Sequence, residues 1–202
     1  MTARGRLWII GVLAIAVVIA AIYFPMLRRR VKQAPQVQLQ TEEQARRDLG
    51  QSVVTSAGDP HVKAKIFWAS TAQDGSLAPV SIELPLSSEA VTRSKQVLNT
   101  LLAGPVDAEL RTLPPDAVLL AFYLLPNGTA VADFSEALAT STPSGIQSEE
   151  LAVNSIARTL EANVPQVRRL RILIHGQGVE TLAGHLDLTG TFAVNLAGQS
   201  PQ

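Results

Sequence analysis

The sequence is 202 residues long, which allows one domain of ordinary size plus attachments, and its 17 Lys and Arg balance 17 Asp and Glu. The first 32 residues hold Arg4, Arg6, Arg28, Arg29, Arg30 and Lys32 and no acid, leaving eleven basic against seventeen acidic residues, a net −6, for the rest. That balance argues against nucleic-acid binding, which wants a basic stripe. The absence of cysteine removes disulfides, thiolate-bound zinc, a thiol nucleophile and a lipid-modified cysteine.

Residues 1–6 read as a short tail. Residues 7–27 then run 21 positions without a charge, with Trp8 near one end and Tyr23 near the other. As a helix this stretch is about 31 Å long, matching the hydrocarbon core of a bilayer, and its aromatic ends suit the two interfaces. The apolar run continues past the small residues Ala14, Ala16, Ala20 and Ala21, so it predicts an uncleaved single-pass anchor, not a signal peptide. Flanking charge alone leans toward residues 28–30 in the cytoplasm, a small bias that a long domain can override. Residues 28–60 are polar, with Gln at 33, 36, 38, 40, 44 and 51, and read as a linker. A short helix between Thr41 and Gly50 is the one element suggested there.

The folded domain is expected over residues 61–195, with 196–202 as a disordered tail. Val62, Ala64, Ile66 and Trp68 alternate with Lys63 and Lys65, and Val80, Ile82 and Leu84 with Ser81 and Glu83. Both stretches predict half-buried strands. Ser87 or Ser88 is the expected cap of a helix carrying Val91, Ser94, Val97, Leu98, Leu101 and Leu102 on one stripe and ending at Gly104 and Pro105. Residues 113–135 form the central hairpin. A nearly continuous apolar run at 117–125 predicts a strand buried on both faces. Asn127 and Gly128 predict a type I′ turn. A Ser/Thr/Pro/Gly loop at 141–145 precedes a second helix, starting at Ile146 or Glu149 and ending at Ala162, with Ala152, Val153, Ile156, Leu160 and Val164 toward the core. Leu170, Ile172 and Ile174 alternate with Arg169 and Arg171 in a fifth strand that ends at His175 and Gly176, and residues 178–182 are a further short strand or loop. The order β-β-α-β-β-α-β predicts an α+β domain: a mixed or antiparallel sheet with two amphipathic helices on one face.

Read together, LLAGP at 101–105, LPPD at 113–116, NG at 127–128, VADFS at 131–135, IARTL at 156–160, VRRLRI at 167–172 and HG at 175–176 resemble the GerMN domain of sporulation, spore-germination and other bacterial envelope proteins. The resemblance covers residues 63–192. It implies an extracytoplasmic, membrane-attached module, non-enzymatic and without a cofactor, similar in fold to ring-building motifs of secretion-type assemblies. Such a module acts through an envelope protein partner or self-association.

The chemistry-bearing residues are few. His185 and Asp187 fall on one side of a strand, with His175 within reach and His61 distant in sequence, but a zinc site needs three or four ligands and supporting groups. No metal site is assigned. Glu149 and Glu150 suit the first turn of a helix, where an anion complements the dipole. Asp133 and Glu136 form another acid pair, but nothing in the sequence sets a catalytic separation. Arg168, Arg169 and Arg171 form a small basic cluster, read as solvated or edge-blunting charge, with contact to an acidic partner as the alternative. Asn127, Gly128 and Thr129 fit a glycosylation sequon that the turn already explains. No phosphate loop or nucleophile elbow is present, and no catalytic or cofactor-binding residue is assigned. A binding module for cell-wall glycan or a small ligand is the competing reading, ahead of an unrecognised enzyme. A concave pocket with convergent polar groups would favour ligand binding, and a flat surface with an open sheet edge would favour assembly.

Overall fold

The computed structural model describes residues 60–73 and 75–194. The expected tail, anchor and linker, the short helix in that linker, and the C-terminal tail lie outside the described residues. Among those described, no helix is long and apolar enough to cross a membrane.

The domain is α+β, with its strands in two sheets where the sequence predicts one. Strands β1 (His61–Ala69) and β2 (Leu77–Pro85) form an antiparallel hairpin of their own. Helix α1 (Ala90–Ala103) follows, then a 3₁₀ turn (Ala108–Leu110). Strands β3 (Leu119–Leu124) and β4 (Thr129–Phe134) make the central hairpin. A short helix α2 (Ala137–Thr140) leads to the long α3 (Ile146–Asn163), and β5 (Arg169–Ile174) and β6 (Phe192–Ala193) complete a sheet of order β3-β4-β5-β6. β4 pairs antiparallel with β3 and parallel with β5, since α3 supplies the crossover that a parallel pair requires.

The interior strands are therefore β4 and β5, and β3 lies at the sheet edge, contrary to the expectation from its apolar run. A run without polar alternation cannot distinguish a doubly buried strand from an edge strand whose outer face carries Ala121 and Tyr123. Residues 178–182 form no strand, only an isolated bridge from Thr181 to Asp187. α2 and β6 have no counterpart in the sequence reading, being too short to show a period.

One face of the four-stranded sheet carries Phe122, Ala130, Ala132, Phe134, Leu170 and Ile172, which share a single core with Val97, Leu98 and Leu101 of α1 and Ile156 and Leu160 of α3. Full burial of a side chain such as Phe134 or Ile172 is worth about 1.5–3 kcal/mol. Ala64, Ile66 and Trp68 of β1 join the same core, and the Trp68 indole N–H donates to the Leu101 carbonyl at 3.3 Å.

Both ends of α1 are capped, and the C-terminal cap accounts for the LLAGP motif at 101–105. Glu89, not Ser87 or Ser88, caps α1: its carboxylate accepts the Val91 and Thr92 N–H groups at 2.8 and 2.6 Å, and the Ser87 hydroxyl accepts the Glu89 N–H instead. At the other end Gly104 has φ +84°. Arg111 donates to the Leu102 and Ala103 carbonyls at 2.8 and 2.7 Å, placing a cation at the negative end of the helix.

The type I′ turn expected at Asn127 and Gly128 is not formed there, because Asn127 is not at positive φ. Pro126 fixes its own φ near −65°, and the Gly128 N–H bonds to the Leu125 carbonyl while Leu125 pairs with Thr129. This is the three-residue loop that a type I turn followed by a left-handed glycine produces. The type I′ geometry occurs at the end of β5, where His175 and Gly176 have φ of 51° and 72° and Ile174 and Gln177 exchange both backbone hydrogen bonds.

Candidate functional site

The sheet face turned away from the core holds two cross-strand rows. One runs Tyr123, Val131, Arg171 and the other Ala121, Asp133, Leu173. Tyr123 is 60% exposed at the sheet edge, and Leu125, two residues on, is 44% exposed. Arg168 and Arg169 are exposed too; Arg169 pairs with Thr129, across β4 from β3. A hollow of about 510 Å³ lined by Leu125, Gly128, Pro165, Gln166 and Arg168 continues this surface at the end of the sheet. Its two sides are tied together where the Gly128 carbonyl accepts the N–H groups of both Arg168 and Arg169. The basic cluster is thus divided: Arg171 is half-buried and donates to the Thr189 carbonyl at 3.3 Å, while Arg168 and Arg169 face solvent. Tyr and Arg are the residue types enriched at protein interfaces.

The most perturbed acid is elsewhere. Glu149 stands in the first turn of α3, as expected, and is fully buried there. Its Oε2 accepts N–H groups from Ala183, His185 and Leu186 at 3.2, 3.1 and 2.8 Å, and its Oε1 accepts from Gly145 at 3.3 Å and meets His185 Nδ1 at 2.9 Å. Burial alone would raise its pKa, but the Leu186 N–H, the His185 ring and the Ala183 and His185 N–H groups outweigh that and hold it at about 2. Every acceptor direction of this carboxylate is used in tying the loop at 183–186 to the start of α3. Its chemistry is therefore spent on the fold. Its neighbour Glu150 is exposed.

The remaining candidates do not converge. Asp187 accepts the backbone and hydroxyl protons of Thr189, both at 2.7 Å, which lowers its pKa. His185 turns its Nδ1 to Glu149, and His61 begins β1. The Asp133 carboxylate accepts the Gly176 N–H at 2.8 Å, bracing the turn that contains His175. Glu136 precedes α2 without a side-chain capping bond. Among the described residues, no three His, Asp or Glu side chains gather where they could hold a metal ion.

Sequence reasoning missed the structural role of Glu149 and the surface around Tyr123. Apart from the Gly145 N–H, four positions away, the partners of the first lie 34 to 37 positions along the chain, where no local signal reaches. The second was hidden by the apolar character of β3, although Tyr at the only aromatic position offering a hydroxyl in that run could have indicated an outward face.

Comparison with known proteins follows the same lines. A family model described as Germane, sporulation and spore germination, matches residues 65–180, more than half of the chain. Among solved structures, the first GerMN domain of the sporulation protein GerM from Bacillus subtilis is 22% identical, with 65% of this chain and 97% of that chain covered and a TM-score of 0.49. The tandem GerMN domains of the same protein give 21% identity, 70% and 51% coverage and a TM-score of 0.50. A candidate lipoprotein from Clostridium perfringens gives 20% identity, 66% and 87% coverage and a TM-score of 0.46. No curated protein matches the sequence. The family match, with the motifs at 101–105, 113–116, 131–135, 156–160 and 167–176 falling inside it, establishes that the chain belongs to the Germane family and carries a GerMN domain.

Proposed function

We propose that the protein is a single-pass, membrane-anchored module of the bacterial cell envelope whose extracytoplasmic GerMN domain works by protein–protein contact, in an assembly of the sporulation type, and not by catalysis. The observation that carries this reading is the Tyr123 surface: an aromatic ring 60% exposed on an edge strand, with Leu125 44% exposed two residues on and the exposed Arg168 and Arg169 at the same end of the sheet. An interface uses aromatic and Arg anchors of this kind at its centre. The uncharged residues 7–27 and their aromatic ends support the anchor. The acidic balance of the rest of the chain supports a protein partner or a second copy, not nucleic acid.

A photo-activatable amino acid at position 123 of the full chain, irradiated in carbonate-washed membranes, tests this. One adduct of defined mass should form from position 123 and none from the exposed control position 109. A full-length chain lost from the washed membrane, or equal labelling from both positions, contradicts the proposal.

A further inference from the structure

A second concavity, sharing no residue with the Tyr123 surface, opens where the outer face of the β1–β2 hairpin meets α3. It encloses about 390 Å³, within the roughly 300–1,000 Å³ of small-molecule sites. Phe67 and Leu77, both half-buried, give it an apolar floor, and Gln147, Glu150, Asn154 and Arg158 line it from one face of α3. The helix spacing explains the convergence: these four positions are separated by three, four and four residues, so their side chains stand above one another.

Charge and hydrogen bonding restrict what fits. The Arg158 guanidinium is paired with Glu161 at 2.9 Å, and Glu150 makes no ion pair among the described residues. The cleft therefore offers no net positive charge to a phosphate or other anion. Gln147 and Asn154 each carry a donor and an acceptor, and neither side chain is hydrogen-bonded to a described residue. An added peptide strand finds no ladder beside the cleft. The Asn163 amide occupies both the N–H and the C=O of Lys65, and Thr159 Oγ1 accepts the Phe67 N–H at 3.2 Å. What remains is recognition by side chains alone, through amides and a carboxylate above an aromatic floor. That combination matches a ligand with hydroxyls on its rim and C–H groups on its face.

We infer that this cleft is a binding site for a short neutral saccharide, with Asn154 and Gln147 contacting its hydroxyls, Glu150 accepting from them and Phe67 packing on a ring. Titration calorimetry on the full-length protein, in a detergent without a sugar headgroup, tests the inference with triacetylchitotriose, maltotriose and inorganic phosphate. One of the two trisaccharides should bind, and Asn154→Ala and Gln147→Ala should each weaken it about tenfold without lowering Tm, since both side chains are exposed. Binding of phosphate alone, absence of heat from both trisaccharides at millimolar concentration, or affinity indifferent to both substitutions overturns it.

Discussion

Asn163, the last residue of α3, closes the open edge of β1 by pairing with both backbone groups of Lys65. Its Oδ1 accepts the Lys65 N–H at 3.1 Å and its Nδ2 donates to the Lys65 carbonyl at 2.8 Å, across 98 positions of sequence. With Thr159 bonding Phe67 one turn earlier, the helix takes the place of a neighbouring strand, and an edge that would otherwise template aggregation is covered. Because Lys65 and Phe67 direct their N–H groups to the helix, the ladder to β2 is made by the alternate residues of β1. On β2, Pro79 lies opposite Phe67, so its missing N–H falls on the outer edge and costs no hydrogen bond.

Asn163→Ala leaves both Lys65 groups without a partner. Each unmade bond of this kind costs about 1–3 kcal/mol, so urea melts should show a loss of about 2 kcal/mol or more. Amide exchange at Lys65 and Phe67 should quicken ahead of exchange in β4. A loss below about 0.5 kcal/mol, the level of an ordinary surface change, would show that β1 is held by packing alone.

Glu149 makes stability sensitive to acid. Its folded-state pKa of about 2 lies below the ordinary 4.5, so the unfolded chain takes up the proton first as pH falls. The stabilisation is fully present above pH 4.5 and is lost progressively between 4.5 and about 2. Glu149→Gln places an NH₂ among N–H donors and should cost about 2–3 kcal/mol at pH 7. Its stability should then fall less steeply than that of the natural protein between pH 4.5 and 3. Parallel slopes for the two proteins would remove Glu149 as the acid-sensitive group.

The two glycine turns should respond differently to substitution. A Cβ on Gly128 would approach the Gln166 carbonyl and Arg168 Cγ, both at 3.0 Å, at a φ of +80°. Gly128→Val should therefore cost about 1–3 kcal/mol. His175 already tolerates φ of 51°, as His does more readily than β-branched residues. His175→Gly should stay within about 1 kcal/mol of the natural protein, while His175→Val should lose about 1–2 kcal/mol. Thermal melts of the three variants decide the matter, and an unchanged His175→Val would refute the type I′ assignment.

The element order, both long helices and the five longer strands were legible: β1, β2 and β5 from a period of two, α1 and α3 from a period of 3.6, and the β3–β4 hairpin from its apolar run and the turn residues Asn127 and Gly128. Gly104 and Pro105 marked the end of α1 for the same local reason. What the sequence could not show depends on partners distant along the chain. Nothing near Glu149 announces the loop at 183–186, nothing near Asn163 announces Lys65, and the division into two sheets follows from α3 lying against β1. The displaced type I′ turn is a different case: Pro126 was present to read, and its fixed φ already favoured the longer loop around Asn127.

The contact claim is tested most directly by the size of the assembly extracted from membranes. Tyr123→Ser combined with Arg169→Glu removes the exposed ring and reverses a charge at the same end of the sheet, while both side chains lie outside the core and Tm should be unchanged. Sedimentation of the detergent-extracted, full-length protein should give a complex larger than one chain for the natural sequence and a single chain for the double variant. Identical sedimentation of the two, whether as complex or as monomer, would contradict a contact made through the Tyr123 surface.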